Sequence, residues 1–418
     1  MYRSFVCIIC LFIGTACFGQ PYEKQLPPAL PTVVYRAGSL PDRVLMSVSD
    51  GKAQTRSITW RTAAAVKEGV LEWSNKLTDV EFYKKAQQLP ARSSALVTYT
   101  GDTVYYHTVQ LTGLLPGKNY SYRVGNDPFF SEWIDFTMPA DSGTFQFIYL
   151  GDAQNDVRAL WSRVFRKAFL AAPQADFILH AGDLINHSQN EHEWSEWFYG
   201  GNFMLASKPQ LLVPGNHEYV KGDDGIKQGI TPSWNLQFNY PNNGVEGMEN
   251  RNYYVDHKNC RFIFMDSNES LAQQAAWLAQ RLQHNTQKWT IVMFHHPVLS
   301  GTEGRINEGV MTHWKPLLDQ YHVDLVLQGH DHVYARGSIA DAHGRDTGTT
   351  YVISMAGRKA YEVGAHSWLK KKAGKTQSYQ IVDVSDSCIS FKAFDMDGKQ
   401  IDAFRIRKQR GQAKLEEY

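Results

Sequence analysis

Thiols are scarce in this chain. Of its 418 residues only five are cysteine, and three of those, Cys7, Cys10 and Cys17, fall in the first seventeen positions. The remaining pair, Cys260 and Cys388, could form at most one disulfide, so the chain is not a cross-linked scaffold and must be held by buried cores. A charge excess is also missing. The formal net charge is +1, which excludes the basic stripe of a general nucleic-acid binder. The apolar stretch from Phe5 to Ile13 is too short to span a bilayer. There is no phosphate-cradling glycine loop of the P-loop type, no dinucleotide fingerprint and no convincing Ser-His-Asp arrangement. What the chain does have is 43% hydrophobic and 13% aromatic residues over a length that suits two domains.

The N-terminus, "MYRSFVCIICLFIGTACFGQ", reads as a secretory leader of residues 1–19. Arg3 supplies its positive end, an apolar stretch follows, and small residues precede a cleavage point before Gln20. "GTAC" also offers a lipobox-like alternative, with Cys17 as a candidate lipid anchor. Either reading exports the protein to the periplasm, the cell surface or the medium. Residues 20–37 form a Pro-rich linker. From 38 to 139 short alternating segments such as "QTRSITWRT", "SALVTYT" and "YYHTVQLTGL" are punctuated by turn residues. In "LTGLLPGKNYSYRVG" a Pro116-Gly117 turn leads into a strand where Tyr120 and Tyr122 alternate with Ser121 and Arg123. With Trp60 in an earlier strand, this part resembles a fibronectin type III sandwich. After "MPADSGT" the rhythm changes, and residues 144–410 read as an α/β domain. "NDVRALWSRVFRKAF", "SLAQQAAWLAQRLQ" and "VMTHWKPLLDQY" carry helical periodicity. The tail adds antiparallel strands with a tight turn at Asp397-Gly398.

Polar side chains gather directly after the apolar strands of the second part. "YLGDAQN" offers Asp152 and Gln154, and "HAGDLINH" offers Asp183, Asn186 and His187. "VPGNHEY" offers Asn216, His217 and Glu218, "MFHHP" offers His295 and His296, and "QGHDH" offers His330 and His332. Each fragment alone is an ordinary turn. Strand ends of one sheet converge, however, so five such fragments in this order point to one site. Imidazole and carboxylate without thiolate suit zinc, iron or manganese.

This ordered set resembles the calcineurin-like metallophosphoesterases. With the fibronectin-like part ahead of it, nearly the whole chain past the leader resembles a purple acid phosphatase. The resemblance implies an all-β N-terminal sandwich followed by an α/β domain whose β-sandwich is flanked by helices. It implies two metal ions and hydrolysis of phosphate monoesters of small molecules by a metal-activated hydroxide. By the same pattern Asp152 and His332 ligate the first metal, Asp183 bridges both, and Asn216, His295 and His330 ligate the second. His217 would then be the acid beside the phosphate.

Two positions depart from the pattern. Purple acid phosphatases have a tyrosine three residues after the bridging aspartate, and here Asn186 stands there. Other metallophosphoesterases have a histidine two residues after the first aspartate, and here Gln154 stands there. Gln154, Asn186 and His187 are therefore the candidates for an additional ligand. Without a phenolate to compensate ferric iron, two divalent ions with two aspartates and a hydroxide sum to about +1, which still attracts phosphate. The expectation is a divalent pair and no purple colour. Arg305, on a Gly-rich loop, and Tyr334 and Arg336, just past the last histidine, are candidate substrate contacts. His296 is expected to shape the turn before Pro297. Two alternatives keep the same residues: a phosphodiesterase or nucleotide hydrolase, and a cell-surface binding protein with an inactive enzyme domain.

Overall fold

The computed structural model describes residues 36–141, 143–338, 348–409 and 412–417. The leader, Cys17 and nearly all of the Pro-rich linker lie outside the described residues. The N-terminal part is a sandwich of two antiparallel sheets. Strands Asp42–Ser47, Arg56–Ala63, Thr103–Leu111 and Arg92–Val97 form one. Gln87–Pro90, Val70–Asn75, Asn119–Asn126 and Phe129–Phe130 form the other, with Ile134–Thr137 added beside Asn119–Asn126. Alternation turns Ile58, Trp60, Leu71, Val109 and Tyr122 into the space between the sheets, as the period of two requires.

From Phe145 onward two seven-stranded sheets stack face to face. The first runs Gln210–Leu212, Phe177–His180, Phe145–Leu150, Ser378–Val384, Ile389–Asp395, Gln400–Gln409 and Gln412–Glu417. The second runs Tyr253–His257, Cys260–Phe264, Trp289–Met293, Leu325–Gln328, Thr350–Ile353, Tyr334–Ser338 and Leu369–Ala373. The first sheet thus continues past residue 410, where the sequence reading ended the domain. Phe147 and Phe177 meet Phe262 edge-on across the gap, at 5.4 and 5.1 Å. The Tyr149 hydroxyl donates to the Gln328 carbonyl and accepts from its N–H at 2.9 Å, so the sheets are also tied by hydrogen bonds.

Helices cover both outer faces. Ser162–Ala171 buries Val164, Phe165 and Ala168 against the first sheet, and Leu271–Gln283 buries Trp277, Leu278 and Leu282 against the second. The expected single helix over "VMTHWKPLLDQY" divides into Glu308–His313 and Lys315–Gln320. Pro316 in the first turn of the second piece cannot continue a helix through Trp314, because it lacks the N–H and clashes with the preceding turn. Helix Glu191–Gly201 was not expected from the sequence. It docks the N-terminal sandwich, since Glu191 pairs with both Arg43 at 2.8 Å and Arg61 at 2.7 Å. Cys260 and Cys388 are both free thiols.

Strands Phe145–Leu150, Phe177–His180 and Gln210–Leu212 are mutually parallel, and so are Trp289–Met293 and Leu325–Gln328. Parallel strands end on one side. The chemistry-bearing loops therefore emerge together, but from both sheets and not, as expected, from one.

Candidate metal centre

Three of the five loops leave their strands through strained backbone. Asp152, Asp183, His330 and His332 have φ of 35°, 51°, 72° and 51°, in the left-handed region that costs a non-glycine residue energy. Neighbouring glycines are required for clearance. A Cβ on Gly215 would stand 2.0 Å from Asp183 Oδ1, and one on Gly329 would stand 2.6 Å from Asp152 Oδ2. No other residue leaves room for those carboxylates.

Four donor atoms meet on one side of the site. His295 Nε2 lies 3.3 Å from Asp183 Oδ2, 3.3 Å from Asn216 Oδ1 and 3.2 Å from His330 Nδ1. Ligand atoms about 2.0–2.1 Å from a tetrahedral ion stand roughly 3.3–3.4 Å apart, so the spacing fits a metal ion. His295 Nδ1 donates to the Ala181 carbonyl at 2.8 Å, which turns Nε2 toward the site and holds the ring there.

The other side is looser. Asp152, Asp183 and His332 form a compact cluster, yet His332 Nε2 is 4.0 Å from Asp152 Oδ1. Gln154 fills the gap, with Nε2 3.2 Å from Asp183 Oδ2 and 3.0 Å from His332 Nε2. Its Oε1 and the Nδ1 of His332 are buried and unpartnered among the described residues. An amide turned by half a rotation presents Oε1 where Nε2 now stands, and the crystallographic ambiguity of amides shows how little such a turn changes shape. These orphans and the imidazole–carboxylate set fit a hard or borderline cation here as well.

The electrostatics also call for cations. Burial pushes Asp152 well above the usual carboxylate range, against His295 and with Asp183. Burial would raise Asp183 too, but His295 and His217 hold it well below that range. His295 is lowered by burial and raised more by Asp183, ending at about 9. Burial keeps His330 and His332 neutral, well below their ordinary value, so their nitrogens are free to ligate. Beneath them Glu218, wholly buried, accepts from the N–H groups of Asp183 at 2.9 Å, Leu184 at 2.7 Å and Gly215 at 2.6 Å. Burial and Asp183 push it up to about 7.

His217 enters beside Asp183. Its N–H donates to Asp183 Oδ1 at 3.0 Å and its Nδ1 donates to the Asn186 carbonyl at 2.6 Å. Nε2 is left facing the site, 4.0 Å from Asp183 Oδ2. Among the described residues the Asn186 side chain meets His187 alone, and His187 turns away to Glu193, 2.6 Å from its Nδ1. Of the three candidate extra ligands, the structure brings Gln154 alone between two of the proposed ligands.

Arg305 is held at the site, donating to the His330 carbonyl at 2.9 Å and to Asp331 Oδ1 at 3.3 Å. Tyr334 and Arg336 are elsewhere, which corrects their reading as substrate contacts. Past His332 the chain re-enters a sheet, and these two share one face of strand Tyr334–Ser338. Both are committed to buried Asp402, at 2.8 and 2.6 Å. Sequence reasoning missed Tyr361, whose ring stands edge-on to His332 at 4.9 Å with the Arg305 guanidinium 4.7 Å above it. It missed Lys359 too, whose charge adds to the burial that depresses His332 and His217. Neither follows an apolar strand, so the pattern that found the ligands could not find them.

Comparison with known proteins finds two family matches. Residues 145–334 match the calcineurin-like phosphoesterases, and residues 41–138 match the purple acid phosphatase N-terminal domain. Acid phosphatase type 7 of Danio rerio is 25% identical over 344 residues, 72% of this chain and 72% of its own length. Purple acid phosphatase 22 of Arabidopsis thaliana is 24% identical over 348 residues, covering 80% of this chain and 76% of its own. A purple acid phosphatase from yellow lupin (Lupinus luteus) seeds superposes with a TM-score of 0.72 at 17% identity, over 89% of this chain and 75% of its own.

Proposed function

The chain is a purple acid phosphatase-like member of the calcineurin-like metallophosphoesterases and a metal-dependent phosphoester hydrolase, and we propose that it is exported and cleaves phosphate monoesters at a pair of divalent ions. The observation that carries this reading is the convergence on His295 Nε2 of three donor atoms from three other segments, all within 3.3 Å. Asp183 faces both halves and is the shared ligand. Asn216, His295 and His330 would hold one ion, and Asp152 and His332 the other, where the orphaned amide oxygen of Gln154 could serve as a further ligand. When bound, the ions supply charge for the phosphoryl oxygens and an activated water as nucleophile.

The chain's own groups do the rest. His217 is locked by the Asn186 carbonyl so that Nε2 faces the leaving group, to which it gives a proton. Burial pushes His217 below its ordinary value, so the protonated form that can donate is populated on the acid side. Arg305 and Lys359 bring positive charge to the mouth, which suits a dianionic terminal phosphate. Export rests on the leader, and among the described residues no helix is long and apolar enough to cross a membrane.

The test is hydrolysis of matched aryl monoesters and diesters after loading with zinc, manganese or ferrous iron. Monoesters are expected to react faster, with kcat declining as pH rises. Preference for diesters would sink the monoester reading. A strong visible band with stoichiometric ferric iron would refute the divalent pair.

A further inference from the structure

His296 has a use that its position in the turn before Pro297 does not require. Its backbone N–H donates to Ser267 Oγ at 2.9 Å, and the same oxygen lies 2.8 Å from its Nδ1. A hydroxyl has one proton to give. Among the described residues Nδ1 is the one acceptor within reach of that proton, so Ser267 gives it there and the ring's own proton sits on Nε2. Among the described residues no atom accepts from Nε2, and the side chain is partly exposed. The ring lies 4.4 Å from that of His330 and 5.0 Å from that of His295. Nitrogens of all three lie within 4.8 Å of one another. A donor without a partner thus stands beside the tighter half of the cage.

We propose that His296 contacts substrate: its Nε2–H donates to a phosphoryl oxygen held at the Asn216–His295–His330 half, and Ser267 is the positioning residue that fixes the tautomer. The proposal rests on the phosphoesterase reading. A hydrogen bond to a charged acceptor is stronger than a neutral one, and the fixed tautomer means that no ring turn or proton shift is needed to make it. The contact exists with bound phosphate as well as during transfer, so it favours substrate and inorganic phosphate alike.

The experiment uses the metal-loaded full chain, with inorganic phosphate as inhibitor of aryl phosphate hydrolysis. His296→Ala is expected to keep its metal while KM and the phosphate inhibition constant both rise about tenfold. His296→Gln, whose amide N–H reaches the same place, is expected to stay near wild type, and Ser267→Ala to fall between. Unchanged phosphate inhibition in His296→Ala overturns the proposal. So does loss of metal in that variant, which would make His296 a ligand. If His296→Ala does not fold, Ser267→Ala decides: weaker phosphate inhibition supports the proposal and wild-type inhibition overturns it. A wild type that neither hydrolyses the ester nor binds phosphate would instead sink the underlying reading.

Discussion

The two halves of the cage are built to different standards. On the Asn216–His295–His330 side, four donor atoms already stand at ligand spacing, and a backbone carbonyl orients the central imidazole. On the Asp152–His332 side a neutral amide occupies the gap, and two buried polar atoms have no partner among the described residues. The same kind of loop, left by the same kind of strand, yields a preformed site in one case and an incomplete one in the other. The difference lies in one ligand. Where family members place a tyrosine or a histidine, this chain has Asn186 and Gln154. The tight half should hold its ion whatever the metal, and the loose half should decide which ion the protein accepts.

The largest effect is expected at the residue both halves share. Asp183→Asn removes the bridging charge, and loss of several kcal/mol of electrostatic stabilisation lowers kcat by about a thousandfold or more. Thermal unfolding should change little, because the residue sits past the strand end and outside the core. Activity within tenfold of wild type would mean that the halves do not act together. Next comes Gln154→Ala, which strikes the loose half only. One metal equivalent is expected to bind about 10- to 100-fold more weakly while the other is unaffected, read by chelator titration and metal analysis. Equal loss of both ions would erase the distinction drawn here.

The gathering of five of these side chains, from both halves, was legible in the sequence because each follows an apolar strand directly. Asp152, Asp183, Asn216, His295 and His330 needed only the strand pattern and the rule that parallel strands end together. That the strands belong to two sheets was not legible, since antiparallel pieces from residues 253 and 378 onward decide which strand joins which sheet. Nor were Glu193, Tyr361 and Lys359. Their role depends on where a helix and a loop come to rest against the site, and no local periodicity encodes that. Tyr334 and Arg336 misled for the complementary reason. They lie close in sequence to His332, but the alternation of a strand turned both into the core toward Asp402.

Acidity sharpens the comparison on the tight side. Without metal, His295 holds its proton up to about 9. An incoming ion must displace that proton. Apparent affinity at this half should therefore fall by up to about tenfold for each unit of pH below 9, and rise no further above it. Isothermal titration of zinc at pH 8 in buffers of different ionisation enthalpy should show proton release. His330 and His332, kept neutral by burial, contribute none of it. Metal affinity flat between pH 7 and 9 would contradict the ion pair between His295 and Asp183.

The smallest effect is expected outside the cage, where neither half is touched. Glu193 accepts from the N–H groups of Asn186 at 2.8 Å and His187 at 2.7 Å, and meets His187 Nδ1 at 2.6 Å. It thereby fixes the loop whose Asn186 carbonyl holds His217. Glu193 lies two residues past Glu191, which anchors the N-terminal sandwich through Arg43 and Arg61. One helix thus carries both the domain contact and the support for the proposed acid. Glu193→Gln keeps the shape but weakens three hydrogen bonds. It should lower kcat several-fold and leave KM and both metal equivalents in place, since His217 is misaimed while the ligands stand. Esters with good leaving groups, which need little help from an acid, should be hydrolysed almost as fast as by wild type. Equal losses for good and poor leaving groups would show that Glu193 steadies the fold and not His217.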